Sequence, residues 1–276
     1  MAGKNVLITG GGRGIGKAIA FAFALAGVST IVLVGRTESS LLATRKELLE
    51  SARHRKAYPI MTDLQVITHV LDVSNNQLVK TVFKTIQREV GGTVDVLVSN
   101  AGYLPDFGLI ADTDFREWWS GFEINLAGYF NVVQAYLKSP LSLTGHIISI
   151  NSAAGHLRYD GMSSYSGAKN AALWLTDSVC EEYPNVFAVS MHPGVCETEM
   201  NAKNAGVPEE DINLPAHLAV WLTSPEGNFL RGRMIWSSWD VEEMMDRKQE
   251  ILDGDLLRMT LRGYPISRGL GYSTDT

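Results

Sequence analysis

Thr9-Gly-Gly-Gly-Arg-Gly-Ile-Gly16 joins a short β-branched run, Asn5–Thr9 (NVLIT), to an Ala- and Phe-rich stretch, Gly14–Ala26. A strand, a glycine turn and a buried helix in that order predict the opening of a parallel α/β sheet. Glycine there permits positive φ and close backbone approach, and the start of the helix offers free N–H groups to an anion. The pattern G-x-G-x-x-G does not occur at any register. The P-loop pattern G-x-x-x-x-G-K-[ST] is met by Gly11, Gly16 and Lys17, but Ala18 stands where its magnesium-binding hydroxyl belongs. The remaining spacing is Gly10-x-x-x-Gly14-x-Gly16, preceded by Thr9.

Outward from this turn, strand-like and helix-like segments alternate. Strands are expected at Ile31–Val34, Val66–Val73, Val94–Ser99, His146–Asn151, Phe187–Met191 and Arg233–Trp236. Helices are expected at Ser40–Arg53, with Leu41, Leu42, Leu48 and Leu49 on its apolar side, and at Asn75–Val90, Phe115–Leu137, Ser163–Glu182 and Leu214–Leu222. Helix-length crossovers between strands imply a doubly wound parallel sheet, a Rossmann-like single α/β domain over residues 1–236. Ala52–Asp63 reads as a surface loop. Residues 237–276 form a charged, glycine-containing extension expected to pack on the same domain.

The 276 residues fit one large domain, with 45% hydrophobic and 20% charged residues and a formal net charge of −6. That acidity argues against a nucleic-acid partner. Ile15–Val34 is apolar over about the length of a membrane span, but Lys17 and Gly27 interrupt it and its second half turns β-branched. A buried helix followed by a buried strand accounts for all three features, so no membrane association is expected. The two cysteines, Cys180 and Cys196, form no framework, and a reducing, cytoplasmic setting follows. No His, Cys and carboxylate grouping has metal-ligand spacing.

Tyr165-Ser-Gly-Ala-Lys169 places a phenol and an ammonium on one helix face. A tyrosine titrates near ~10, and a neighbouring cation lowers that value. The pair can then give a proton to a carbonyl or take one from an alcohol. Ser152 follows the strand His146–Asn151, at the strand end where ligands bind in such sheets, and its hydroxyl can stabilise charge on a substrate oxygen. Asn125 sits in an apolar helical stretch. A buried amide there needs hydrogen bonds, and holding a water near Lys169 is one use for it.

These residues together resemble the classical short-chain dehydrogenase/reductase family. Thr9, Gly10, Gly12, Arg13, Gly14, Ile15 and Gly16 resemble its cofactor turn, and Asn125, Ser152, Tyr165 and Lys169 its catalytic set. Asp72-Val73 resembles its adenine-contacting acid, and Asn100-Ala101-Gly102 its NAG element. Pro193-Gly194-Val195 followed by Thr198 resembles the segment that holds the nicotinamide carboxamide. Ser149 and Asn151 depart from the family's usual residues, and little effect is expected. Trp236–Met244 resembles fungal members found in natural-product pathways.

The resemblance implies an oxidoreductase that interconverts a carbonyl and an alcohol by hydride transfer, acting on a bulky apolar small molecule. An alternative is a cofactor-binding member with a non-redox or regulatory role. Val34-Gly35-Arg36-Thr37 ends the second strand without a carboxylate, so Arg36, with Thr37 beside it and Arg13 from the turn, implies NADP(H) rather than NAD(H). A mobile lid is implied at about residues 195–213. Tyr103–Ile110 and Gly155–Met162 complete the pocket, with Leu104, Phe107 and Leu157 as apolar walls. His156, His192 and Arg158 are left outside the site. Pairing through the helices bearing Trp118, Trp119, Tyr129 and Ser163–Glu182 implies a homodimer or homotetramer.

Overall fold

The computed structural model describes residues 1–54, 64–139, 144–203 and 208–260. Seven parallel strands form one sheet in the order β3-β2-β1-β4-β5-β6-β7. They are β1 (Asn5–Thr9), β2 (Thr30–Gly35), β3 (Gln65–Val70), β4 (Val96–Ser99), β5 (His146–Ile150), β6 (Phe187–His192) and β7 (Met234–Trp236). The strand order reverses between β1 and β4, which opens a crevice at their carboxyl ends. The membrane-length stretch resolves into α1 (Gly14–Leu25) and β2. No helix among the described residues is long and apolar enough to cross a membrane.

The central strands are apolar on both faces because helices cover both. Val6, Ile8, Ile31, Leu33, Val96, Val98, Ile148 and Val189 face one layer, with α1, α2 (Glu38–His54), α7 (Asn213–Trp221), α8 (Val241–Asp246) and α9 (Lys248–Asp253). The alternate residues Leu7, Val32, Leu97, Ile147 and Ala188 face α3 (Asn76–Glu89), α5 (Gly128–Leu137) and α6 (Ser163–Glu182). This two-residue alternation into two cores is what a strand buried on both sides requires.

Several expectations are refined. On α2, Leu41 and Leu48 are buried, but Leu42 is 45% exposed, because the 100° step carries it off the core-facing side. The expected single helix Phe115–Leu137 is α4 (Phe115–Phe122), a π-helical turn at Glu123–Ala127, and α5. The extension beyond residue 236 forms α8 and α9, whose Met244 and Ile251 lie in the first core. The expected loop Ala52–Asp63 falls mainly outside the described residues, as do residues 204–207 of the lid segment and residues 261–276 of the extension.

Candidate active site

Thr9 and Asn100 lock the glycine turn against the end of β4. The Thr9 hydroxyl accepts the N–H groups of Asn100 and Ala101, both at 2.9 Å. Asn100 Nδ2 returns to the carbonyl of Thr9 at 2.9 Å and of Gly10 at 3.3 Å. Gly10 and Gly14 have φ of 66° and 53°, the left-handed region open to glycine. A Cβ on Gly16 would lie far inside contact distance of the Gly10 carbonyl. Gly12 faces Ser40 and Leu41 in the first turn of α2, and the Thr44 hydroxyl one turn on donates to its carbonyl at 3.0 Å. No side chain caps α1 at Arg13. A bare helix start beneath a turn with no room for side chains suits a pyrophosphate. The residues present therefore fit the pyrophosphate of a dinucleotide.

The other expected cofactor contacts ring this cradle. Ile15 packs against the first core. Asp72 Oδ1 accepts the N–H of Ser74 at 2.9 Å and its hydroxyl at 2.7 Å, while Val73 packs where a side chain on Gly128 would sit. Thr198 lies beside Gly14, so the chain after Pro193-Gly194 crosses the turn. There Val195 N–H donates to a Glu210 carboxylate oxygen at 2.6 Å. Arg36 and Thr37 are exposed at the end of β2. Arg13, expected to approach a phosphate alongside Arg36, pairs with Glu199 from the segment that crosses the turn. Sequence reading missed both Glu199 and Glu210, because neither contact is local.

Tyr165, Ser152 and Lys169 meet at the carboxyl ends of β5 and β6. Ser152 caps a short 3-10 turn (Ala153–Gly155), accepting Ala154 N–H at 3.2 Å. Lys169 Nζ donates to Ile150 O at 2.9 Å and lies 5.6 Å from the centre of the Tyr165 ring. Burial pushes the Tyr165 phenol up to about 12, opposed by the neighbouring Ser152 hydroxyl. The expected lowering by Lys169 is not what dominates, because desolvation disfavours the phenolate and also pushes the Lys169 amine down to about 8.

Asn125 bonds its side-chain amide to the backbone. Nδ2 donates to Tyr103 O at 2.7 Å and Gly121 O at 2.9 Å, and Oδ1 accepts Tyr103 N–H at 3.0 Å. It lies inside the π-helical turn and spends its bonds on the Gly121 carbonyl and on the loop after Gly102. A Cβ on Gly102 would sit 3.0 Å from Asn125 Oδ1.

Around Tyr165, a cleft is lined by Pro105, Phe107, Thr113, Trp118 and Met162. The two expected wall segments join through Gly108 N–H, which donates to Gly161 O at 3.1 Å. Phe107 and Leu157 are exposed, whereas Leu104 is buried. His156 and His192 pack against Trp236. The indole N–H donates to His156 Nε2 at 3.2 Å, and the His192 ring centre is 4.6 Å from the indole. Burial foremost, then His156 and Lys169, push His192 down to about 4, so it stays neutral near pH 7. No group of three metal-capable side chains occurs among the described residues.

The family model described as short chain dehydrogenase matches residues 4–207. The short chain dehydrogenase mpl6 of Monascus purpureus is 38% identical over 272 residues, covering 94% of this chain and 89% of its own. An alcohol dehydrogenase of Thermococcus sibiricus complexed with 5-hydroxy-NADP superposes with a TM-score of 0.74 at 26% identity, over 87% of this chain and 98% of that one. An NAD+-bound xylitol dehydrogenase shares the fold with a TM-score of 0.74 at 22% identity, over 84% and 96%. This chain belongs to the short-chain dehydrogenase/reductase family of oxidoreductases, whose members use a nicotinamide cofactor and small-molecule substrates.

Proposed function

We propose that this protein is an NADP(H)-dependent oxidoreductase that interconverts a ketone or aldehyde and the corresponding alcohol, with Tyr165 as proton donor or acceptor. The observation that carries this reading is the meeting of Tyr165, Ser152 and Lys169 at the strand ends bordering the glycine cradle. The bound cofactor would supply or accept the hydride, its oxidised ring adding a positive charge.

In this reading the Ser152 hydroxyl donates to the substrate oxygen and Tyr165 transfers the proton at its own hydroxyl. The buried Lys169 ammonium sits beneath the phenol and stabilises its ionised form. Asn125 acts through the loop it fastens. Thr9, Gly10, Gly12, Gly14, Ile15, Gly16, Asn100, Ala101 and Gly102 cradle the dinucleotide. Asp72 and Val73 serve the adenine side, and Pro193, Gly194, Val195 and Thr198 the nicotinamide side.

NADP(H) is favoured because Arg36 is exposed at the end of β2, with no carboxylate before Glu38. The Thermococcus sibiricus protein holds an NADP derivative and the xylitol dehydrogenase holds NAD+, so the preference rests on Arg36. A bulky apolar substrate is favoured by Phe107 and Trp118, which stand beside Tyr165 in a cleft that also carries Asp106 and Ser163. A homodimer or homotetramer is supported by Phe115, Trp119 and Phe130 on α4 and α5 and by Trp174 on α6, all at least 45% exposed. Tyr129 does not belong to that surface, being buried and bonded to Thr176 at 2.9 Å. Cys180 and Cys196 are free and buried, in keeping with a cytoplasmic setting.

A panel of ketones and alcohols scored by NADPH absorbance tests the activity, with Tyr165→Phe as control. That variant should keep NADPH binding and lose about 10²–10⁴-fold in turnover. Retained turnover would overturn the assignment.

A further inference from the structure

Asn151 stands immediately before Ser152 and is 2% exposed. Its amide is used at both ends. Oδ1 accepts the Ser152 N–H at 2.8 Å, and Nδ2 donates to the Lys169 carbonyl at 3.2 Å. The Asn151 backbone N–H is itself held by Met191 O at 2.7 Å, which anchors the residue to β6. Gly155 makes the span possible: a Cβ there would lie 3.0 Å from Asn151 Oδ1 and 3.2 Å from Lys169 O. Asn170 Nδ2 then donates to Gly155 O at 2.8 Å and closes the turn onto α6.

Lys169 therefore grips the end of β5 twice, through Nζ at Ile150 O and through its main chain at Asn151. One amide joins the backbones of two groups that lie on different elements.

We propose that Asn151, expected from the sequence to have little effect, is instead a positioning residue that sets the spacing and orientation of Ser152 relative to Lys169. This rests on the reading above, in which Ser152, Tyr165 and Lys169 carry the chemistry. An amide is required because one end must accept and the other donate. An aspartate would keep the Ser152 end but face the Lys169 carbonyl with a second acceptor. An alanine would keep neither end. Small misplacements of reacting groups are costly, about 10²-fold for 1 Å.

The test uses full-length Asn151→Ala, Asn151→Asp and Asn151→Ser, with 9,10-phenanthrenequinone as carbonyl probe. Without cofactor, hydrogen exchange across residues 150–157 should speed up about tenfold in the alanine variant and stay near the parent rate in the aspartate variant. With NADPH, kcat should fall about 10- to 100-fold in both, while the Kd for NADPH stays within about twofold. The alkaline limb of the kcat profile should also move. If the aspartate variant does not fold, the smaller, neutral serine variant should show the same split between kcat and Kd.

Unchanged kcat and pH profile in the folded variants would overturn the proposal. So would equal losses of kcat and NADPH affinity, which mark a general structural role. Wild-type turnover in Tyr165→Phe instead sinks the functional reading itself, whatever the Asn151 variants do.

Discussion

At Lys169, 6% exposed, an ammonium has given up most of its water for one carbonyl and the face of a phenol ring. Burial pushes its proton affinity down to about 8, against 10.5 for the free side chain. Between those values the unfolded chain holds more protons, so this residue makes stability rise with pH. The melting temperature of the parent, measured relative to Lys169→Met, should therefore increase from pH 8 towards 10.5. A flat difference would contradict the burial. At Arg36, Arg36→Asp should lower kcat/KM for NADPH by about 10- to 100-fold and favour NADH, since a charge-assisted hydrogen bond is worth about 1.5–3 kcal/mol. Steady-state kinetics with both cofactors decide it. The residue types at these positions were readable in the chain. The direction of the Tyr165 shift was not, because proximity to Lys169 argued for lowering while burial, invisible in sequence, dominates.

The turn between β1 and α1 is the element on which cofactor binding depends. Gly16→Ala would put a methyl against the Gly10 backbone carbonyl, which cannot swing aside as a side chain can. NADPH affinity, followed by fluorescence titration, should drop at least about tenfold, with the apo fold retained. Turn, strand and helix were all legible here because their signals are local: β-branched residues, then glycines, then Ala and Phe at helical spacing. The helix Phe115–Leu137 shows the opposite case. Its apolar pattern predicts one element, yet a π-helical turn interrupts it at Asn125, where the amide bonds Gly121 O inside the helix and Tyr103 in a distant loop. Nothing in the periodicity marks that insertion. The two-ended use of Asn151 was equally hidden, although the argument applied to Asn125, that a buried amide needs partners, applies to it as well.

Across the whole molecule, the C-terminal extension closes the outer edge of the sheet. Met234 N–H in β7 donates to Leu257 O at 2.8 Å, which satisfies a donor that an edge strand leaves open. Asp255 and Leu257 hold φ of 42° and 66°, a strained conformation for residues other than glycine. Arg258 keeps them there by pairing with Asp177 on α6 and with Asp255 at 2.9 Å. Arg258→Ala should release this turn and lower Tm by several degrees, about 2–4 °C per kcal/mol at this chain length. Differential scanning calorimetry measures it, and an unchanged Tm would show that the strand edge is held without the arginine.

The order of strands and helices, the glycine cradle and the pair Tyr165 and Lys169 were determined by the chain alone, because each rests on neighbours within one or two turns of sequence. Which partner each polar group takes was decided only on folding. Arg13 met Glu199, Asn151 met Lys169 and Asn125 met Tyr103, because strand pairing and helix packing bring together residues whose separation along the chain carries no signal. Burial acts in the same way: it sets the proton affinities of Tyr165 and Lys169 through water removed by elements remote in sequence.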